Sequence, residues 1–194
     1  IDNPAARQLT FTSRVKEIIL FRINKLSGTL RGLLETTDIS TSEDHTEFFF
    51  GRSNRAVVVA GPRNAYLDYR PIPIPRPGEV IIRVHTVAVC ATDREIFEGE
   101  LGYFKKDPSL YPIVPGHEFS GEIVSIGAKV SQLRDGDRVV VECIQGCGAC
   151  DACTGGNQIR CSERAELGVI GRDGAYAEFV STPARFVHQL PSGI

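Results

Sequence analysis

The spacing Cys147-x2-Cys150-x2-Cys153-x7-Cys161 is the tightest constraint in this 194-residue chain. Thiolates two residues apart on a tight loop can point at one centre. Gly146, Gly148, Gly155 and Gly156 permit the positive-φ turns that such a loop requires. Of the six cysteines, five, Cys143 included, lie between 143 and 161, so the cluster is either a disulfide staple or a metal site. Residues 1–10 lack a basic start followed by an apolar stretch, so no secretory signal is expected. The expected compartment is therefore reducing and cytoplasmic, where dense cysteines bind metal rather than pair. Four sulfurs with no spare position describe a closed tetrahedral zinc site of the structural kind, in a lobe spanning residues 143–162. Two other readings compete. One is four free thiols in a loop that has too little apolar content to be ordered otherwise. The other is a nucleic-acid zinc ribbon, which separates its Cys pairs by a longer hairpin and carries more Lys and Arg than this lobe does. Cys143 reads as a small buried residue at a strand end rather than a ligand.

Elsewhere the chain divides into two textures. Residues 1–54 hold a weak helical pattern over 14–34, a polar linker over 35–47, and the apolar clump Phe48-Phe49-Phe50. This extension carries no chemical motif. From Arg55 onward, short apolar runs alternate with Gly and Pro. Strands are expected over 56–60, 79–89, 118–126, 137–142, 175–181 and 185–190, with one helical turn over 92–97. Residues 71–78 hold four prolines and cannot pair as a central strand, because Pro lacks an N–H. Such a series predicts a mainly β, antiparallel, barrel-like domain over 55–194. No βαβ repeat and no G-x-G-x-x-G occurs, and the three glycines of 168–174 have the wrong spacing for a phosphate loop. The chain carries 22 Lys+Arg against 24 Asp+Glu, a net charge of −2, which excludes a broadly basic nucleic-acid binder. No apolar run approaches the roughly 18 residues of a membrane span, so no membrane partner is expected.

A second constellation is more dispersed. Cys90 follows the apolar end Val87-Ala88-Val89 and opens Cys90-Ala91-Thr92-Asp93, while Pro115-Gly116-His117-Glu118 leads into a later strand. Each residue alone reads as core or surface packing. Together a thiolate, an imidazole and a carboxylate make a zinc ligand set, and two or three protein ligands leave a position open to water or substrate. Asp93 and Glu118 can supply carboxylates that orient a ligating His. Thr92 offers a hydroxyl suited to passing a proton.

At these residues the sequence resembles the zinc-dependent medium-chain alcohol and polyol dehydrogenases. The marks are Pro77-Gly78-Glu79-Val80, Cys90-x-Thr92-Asp93, Gly116-His117-Glu118-x-x-Gly121, Gly136-Asp137-Arg138-Val139, the four-cysteine lobe, and Gly174-Ala175-Tyr176-Ala177-Glu178-Phe179. The resemblance covers residues 55–194 and implies their N-terminal GroES-like catalytic domain, a partly open β-barrel with a structural zinc lobe. It implies that Cys90 and His117 bind a catalytic zinc, and that Glu118 sits by it and in some members ligates it. It also implies that Thr92 relays the alcohol proton, that Asp93 supports the ligands, and that Cys147, Cys150, Cys153 and Cys161 hold the structural zinc. Two Zn²⁺ per chain, NAD or NADP held by a separate Rossmann domain, a small alcohol or polyol substrate, and a homo-oligomer at full length follow from the same likeness.

The sequence departs from the family pattern in several places. The family's third catalytic ligand, a Cys or an acidic residue, normally comes after the loop corresponding to Leu190-Pro191, and the Rossmann domain follows it. Residues 1–54 have no family counterpart. Glu95 stands where some members carry a relay His, and Ala91 where some carry a coenzyme-phosphate Arg or a Gly. There is no Met or Trp in the chain, Ile1 is too bulky for a usual initiator-processed end, and Pro191-Ser192-Gly193-Ile194 is loop-like. The expectation is a piece of a longer reading frame, inactive by itself as a dehydrogenase. The alternative to an enzyme is a catalytically inactive, zinc-binding structural module. Phe97, Tyr103 and Phe104 are candidates for pocket lining or for packing. Substrate identity and the choice of NAD over NADP are not encoded in these residues.

Overall fold

The computed structural model describes residues 53–193. The expected helix over 14–34, the linker over 35–47 and the Phe48-Phe49-Phe50 clump lie outside them. The described residues form ten strands, β1 (Ser53–Gly61), β2 (Asn64–Pro71), β3 (Glu79–Val87), β4 (Phe119–Ile126), β5 (Arg138–Val141), β6 (Ile144–Gln145), β7 (Ala165–Leu167), β8 (Gly171–Arg172), β9 (Phe179–Pro183) and β10 (Val187–Gln189). Three short α-helices join them: α1 (Ala91–Glu98), α2 (Gly102–Lys106) and α3 (Asp151–Thr154). No helix among these residues is long and apolar enough to cross a membrane.

The centre is a five-stranded antiparallel sheet in the order β10-β5-β4-β3-β9. β3 lies inside it because Val80-Ile81-Ile82 is apolar on both faces, and all three residues are fully buried. Successive side chains of a strand point to opposite faces. Val80, Ile82 and Val84 therefore join the main core with Ile123 and Val139, while Ile81 packs against Ile72 and Phe179 on the other side. At the start of β3 the buried Glu79 accepts from Arg172 Nη2 at 2.9 Å and from Ser181 Oγ at 3.1 Å. Burial opposes its charge, but Arg172, with hydrogen bonds from Ser181 and the Arg76 N–H, outweighs that cost, and the carboxyl stays below its usual range.

The proline-rich run after β2 is irregular from Ile72 to Arg76, as expected, and only Ile72 of these five is buried. Several elements differ from the sequence expectation: β1 runs over 53–61 rather than 56–60, β3 ends at Val87 rather than at 89, β4 and β5 span 119–126 and 138–141, and β2 is additional. The helical turn extends to two turns, 91–98, because Cys90 caps it and Gly99 ends it in the left-handed conformation at φ 76°. The expected strand over 175–181 starts only at Phe179, because the N–H groups of Ala175 and Tyr176 bond instead to Gly116 O at 2.7 Å and Pro115 O at 2.9 Å. The run over 185–190 opens with a 3-10 turn, Ala184–Phe186, before β10. The β6-β7-β8 sheet is new, and its β7–β8 pair is parallel, so the domain is not antiparallel throughout.

The β1–β2 hairpin is tied to the sheet chiefly through its first residues. Asn54 is buried; its Nδ2 donates to Phe179 O at 3.0 Å, and its Oδ1 accepts from Glu178 N and Phe179 N, both at 3.0 Å. One amide side chain thus substitutes for a strand partner of β9. Arg55 adds a contact to Glu178 Oε1, from Nη2 at 2.7 Å. Removing a partner leaves buried donors and acceptors unpaired. Asn54→Ala is therefore expected to lower stability by about 1–3 kcal/mol, read from the urea midpoint at unchanged m-value.

Candidate functional site

Two clusters of metal-binding side chains occur among the described residues, one closed and one open. In the closed cluster, Cys147 follows the short strand β6, Cys150 caps α3, Cys153 lies within it, and Cys161 closes the 3-10 turn Gln158–Arg160. All six cysteines are free thiols, so no disulfide staples the lobe. The four ligand atoms lie within 4.8 Å of one another, and Cys147 Sγ and Cys153 Sγ are 3.9 Å apart. Tetrahedral zinc at about 2.3 Å from each sulfur places neighbouring sulfurs about 3.8 Å apart, so the spacing fits that ion.

The sulfurs also meet backbone donors. The N–H groups of Ala149 and Cys150 point at Cys147 Sγ, each at 3.4 Å, and hold that thiol down at about 6. The N–H of Gly148 favours the Cys153 thiolate too, yet burial of the sulfur and crowding by the other three push Cys153 up to about 11. Four sulfurs this close resist ionising together without a cation among them.

Cys90, Thr92 and Asp93 form the first turn of α1, where the chain leaves β3. His117 and Glu118 stand at the entry to β4. Since β3 and β4 are paired neighbours, with Val87 opposite Phe119, the two ligand segments emerge side by side. The ligand atoms of Cys90, His117 and Glu118 lie within 4.8 Å of one another, and Glu118 is exposed. Sulfur, imidazole and carboxylate form a mixed donor set that could hold zinc and leave a position open. Thr92 Oγ1 is 3.8 Å from Cys90 Sγ.

Asp93 underlies the open cluster. It is fully buried and accepts from Cys90 N at 2.9 Å, Gly116 N at 3.1 Å and Tyr176 Oη at 3.0 Å. His117 Nδ1 is buried without a well-formed hydrogen bond, and its nearest carboxylate oxygen is Asp93 Oδ1 at 3.4 Å. With Nδ1 turned toward Asp93, Nε2 is the nitrogen available to a metal. Asp93 raises the imidazole to about 9, against the opposing effect of burial.

Residues that the sequence reading did not place in the site also shape it. Burial and the neighbouring Asp93 push the Tyr176 phenol far above its ordinary range, so it remains a hydrogen-bond donor. The glycines of 168–174 have a backbone role: a Cβ at Gly174 would meet Gly116 O at 2.2 Å, and a Cβ at Gly116 would meet Tyr176 Cδ1 at 2.7 Å. The signal available was three glycines within seven residues that no turn or phosphate-loop pattern explained. Phe97 and Phe104 are core residues, whereas the Tyr103 hydroxyl is engaged by Glu166 and Arg164. Cys143 is held neutral, its thiol pushed up to about 11 mainly by burial, and it belongs to neither cluster.

A β domain with a four-sulfur lobe and a separate open donor set at the β3–β4 end defines a class of two-centre, GroES-like domains. The chain belongs to the alcohol dehydrogenase GroES-like domain family, which matches residues 76–192. It is 36% identical over 128 residues to the probable alcohol dehydrogenase AdhA of Mycobacterium tuberculosis, covering 63% of this chain and 35% of that protein. It is 33% identical over 141 residues to a sorbitol dehydrogenase of Bombyx mori, covering 73% and 40%. Among solved structures it is similar to RspB of Escherichia coli, described as a short chain alcohol dehydrogenase complexed with NADH, with TM-score 0.66 and 32% identity over 74% of this chain and 40% of that one. The chain thus spans 35 to 40% of the length of these relatives.

The two clusters predict separable metal binding. Cys161→Ser is expected to remove one zinc per chain and to lower the melting temperature, since a structural metal contributes its binding free energy to folding. Elemental analysis and thermal unfolding in parallel check this.

Proposed function

We propose that this chain is the zinc-binding catalytic domain of an NAD(P)-dependent alcohol or polyol dehydrogenase. The whole protein would then oxidise a primary or secondary alcohol by zinc-assisted hydride transfer. The observation that carries the reading is the convergence of Cys90, His117 and Glu118 within 4.8 Å, apart from the four-cysteine lobe. A purely structural module has no need of an open donor set with a hydroxyl beside it.

In this reading Cys90, His117 and Glu118 hold the catalytic zinc, and Cys147, Cys150, Cys153 and Cys161 hold the structural one. The catalytic zinc supplies Lewis acidity, lowering the pKa of an alcohol or polarising a carbonyl in the reverse direction. Thr92 Oγ1 would accept the hydrogen bond of the substrate hydroxyl and relay its proton, taking it while passing its own hydroxyl proton on to solvent. Asp93 holds the Cys90 backbone and faces the His117 ring, and so orients both of the residues that would hold the metal. The hydride acceptor is a nicotinamide coenzyme. The described residues form no glycine-rich strand–turn–helix site for it, so coenzyme binding is assigned to the part of the relatives that this chain does not span.

The 194-residue chain is expected to carry two zinc ions, with one remaining in Cys90→Ser or His117→Ala and the other remaining in Cys161→Ser. Two ions retained in His117→Ala, or a single ion in the wild-type chain, would overturn the assignment. In the whole protein, Thr92→Val is expected to lower kcat by about 10²–10⁴ with little change in KM, as loss of a proton-transfer group does. NAD(P)H formation over a panel of alcohols and polyols measures it.

A further inference from the structure

We infer that Tyr176 is a positioning residue for the open metal cluster, acting on His117 through Asp93. The inference rests on the proposed role of His117 as a ligand. A phenol carries one O–H proton. Tyr176 Oη lies 3.0 Å from Asp93 Oδ2 and 3.4 Å from Ala88 O, and both are acceptors. The proton goes to the nearer atom, a carboxylate oxygen, because charge-assisted bonds are the shorter and stronger ones.

That donation settles how Asp93 divides its two oxygens. Oδ2 takes Tyr176 Oη together with Cys90 N at 2.9 Å. Oδ1 takes Gly116 N at 3.1 Å and faces His117 Nδ1 at 3.4 Å. Tyr176 therefore pins the carboxylate on the side away from the imidazole, and Oδ1 is left facing the ring. Without the phenol, Asp93 keeps its two backbone donors but loses the Tyr176 hydroxyl from Oδ2, and the carboxylate is freer to turn about its Cβ–Cγ bond. The His117 ring orientation would then be less fixed.

The backbone of Tyr176 grips the same loop. Its N–H donates to Pro115 O at 2.9 Å, its carbonyl accepts from Val57 N at 2.8 Å, and its ring edge occupies the space over Gly116 that a Cβ would need. Because those contacts are made by the backbone and the ring, Tyr176→Phe keeps them and deletes only the hydroxyl. The variant isolates the proposed effect.

The test uses the 194-residue chain with one equivalent of zinc in the lobe and Co²⁺ titrated into the second site, followed by its d–d absorption. Tyr176→Phe is expected to weaken Co²⁺ binding by about tenfold, the lower end of what removing an outer partner of a metal ligand costs, and to shift the d–d bands while zinc stays in the lobe. Asp93→Asn is expected to weaken binding further, and adding Tyr176→Phe to it should change little, because the hydroxyl acts through that carboxylate. Unchanged affinity and spectrum in Tyr176→Phe would overturn the inference. So would loss of lobe zinc in step with cobalt, or fully additive effects in the double variant. Failure of the underlying reading has a different signature, a wild-type cobalt signal that survives His117→Ala.

Discussion

A single buried carboxylate holds the ligand-bearing segments together. Asp93 lies in the first turn of α1 with no solvent exposure, where an unpaired charge is expensive. Its partners come from three places: the N-terminal end of the same helix, the loop ahead of β4, and the loop ahead of β9. Each segment supplies one hydrogen-bond donor to the carboxylate, and together they offset the cost of burying the charge. The proposed ligands Cys90 and His117 sit on two of these segments, and the third carries Tyr176. The carboxylate thereby links the folding of distant stretches to the spacing of the donor atoms.

Local features of the site were legible in the sequence and long-range ones were not. The four-cysteine lobe declares itself because its ligands lie within fifteen consecutive residues and the glycines among them serve the turns between. The helical turn after Cys90 was visible, but its second turn was not, since the stop at Gly99 depends on a left-handed conformation. β2 escaped notice because Tyr66, Leu67 and Tyr69 are all exposed, so the strand lacks the inside–outside alternation that marks a half-buried one. It forms by pairing with the apolar β1, from Ser53 opposite Pro71 to Gly61 opposite Asn64. β6, β7 and β8 are two or three residues long, below the length at which a periodic pattern can be read.

The loop over 168–174 shows the same limit from the other side. Its glycines suggested a nucleotide loop only to be set aside on spacing, and their purpose is visible only in three dimensions. Gly168 and Gly174 lie against the carbonyl of Gly116, where no side chain fits. A close approach between two backbones 52 residues or more apart leaves no local signature beyond the glycines themselves. Tyr176 is similar. In sequence Tyr176 lies in the string Gly174–Phe179, 83 residues from Asp93, while in space its hydroxyl is 3.0 Å from that carboxylate.

The neck of the cysteine lobe has a consequence for how such a domain can be altered. The lobe leaves the sheet at β6 and returns at β7, and these strands pair, with Ile144 opposite Glu166 and Gln145 opposite Ala165. Just below, Leu167 N donates to Cys143 O at 2.9 Å. Entry and exit are thus clasped together, and everything between them is an excursion whose two ends already meet. Loop-closure entropy rises only slowly with loop length, so the length of the excursion weighs little on the pairing at its neck. The lobe behaves as a cassette: residues can be added to or removed from its turns without rethreading the strands that carry the open cluster.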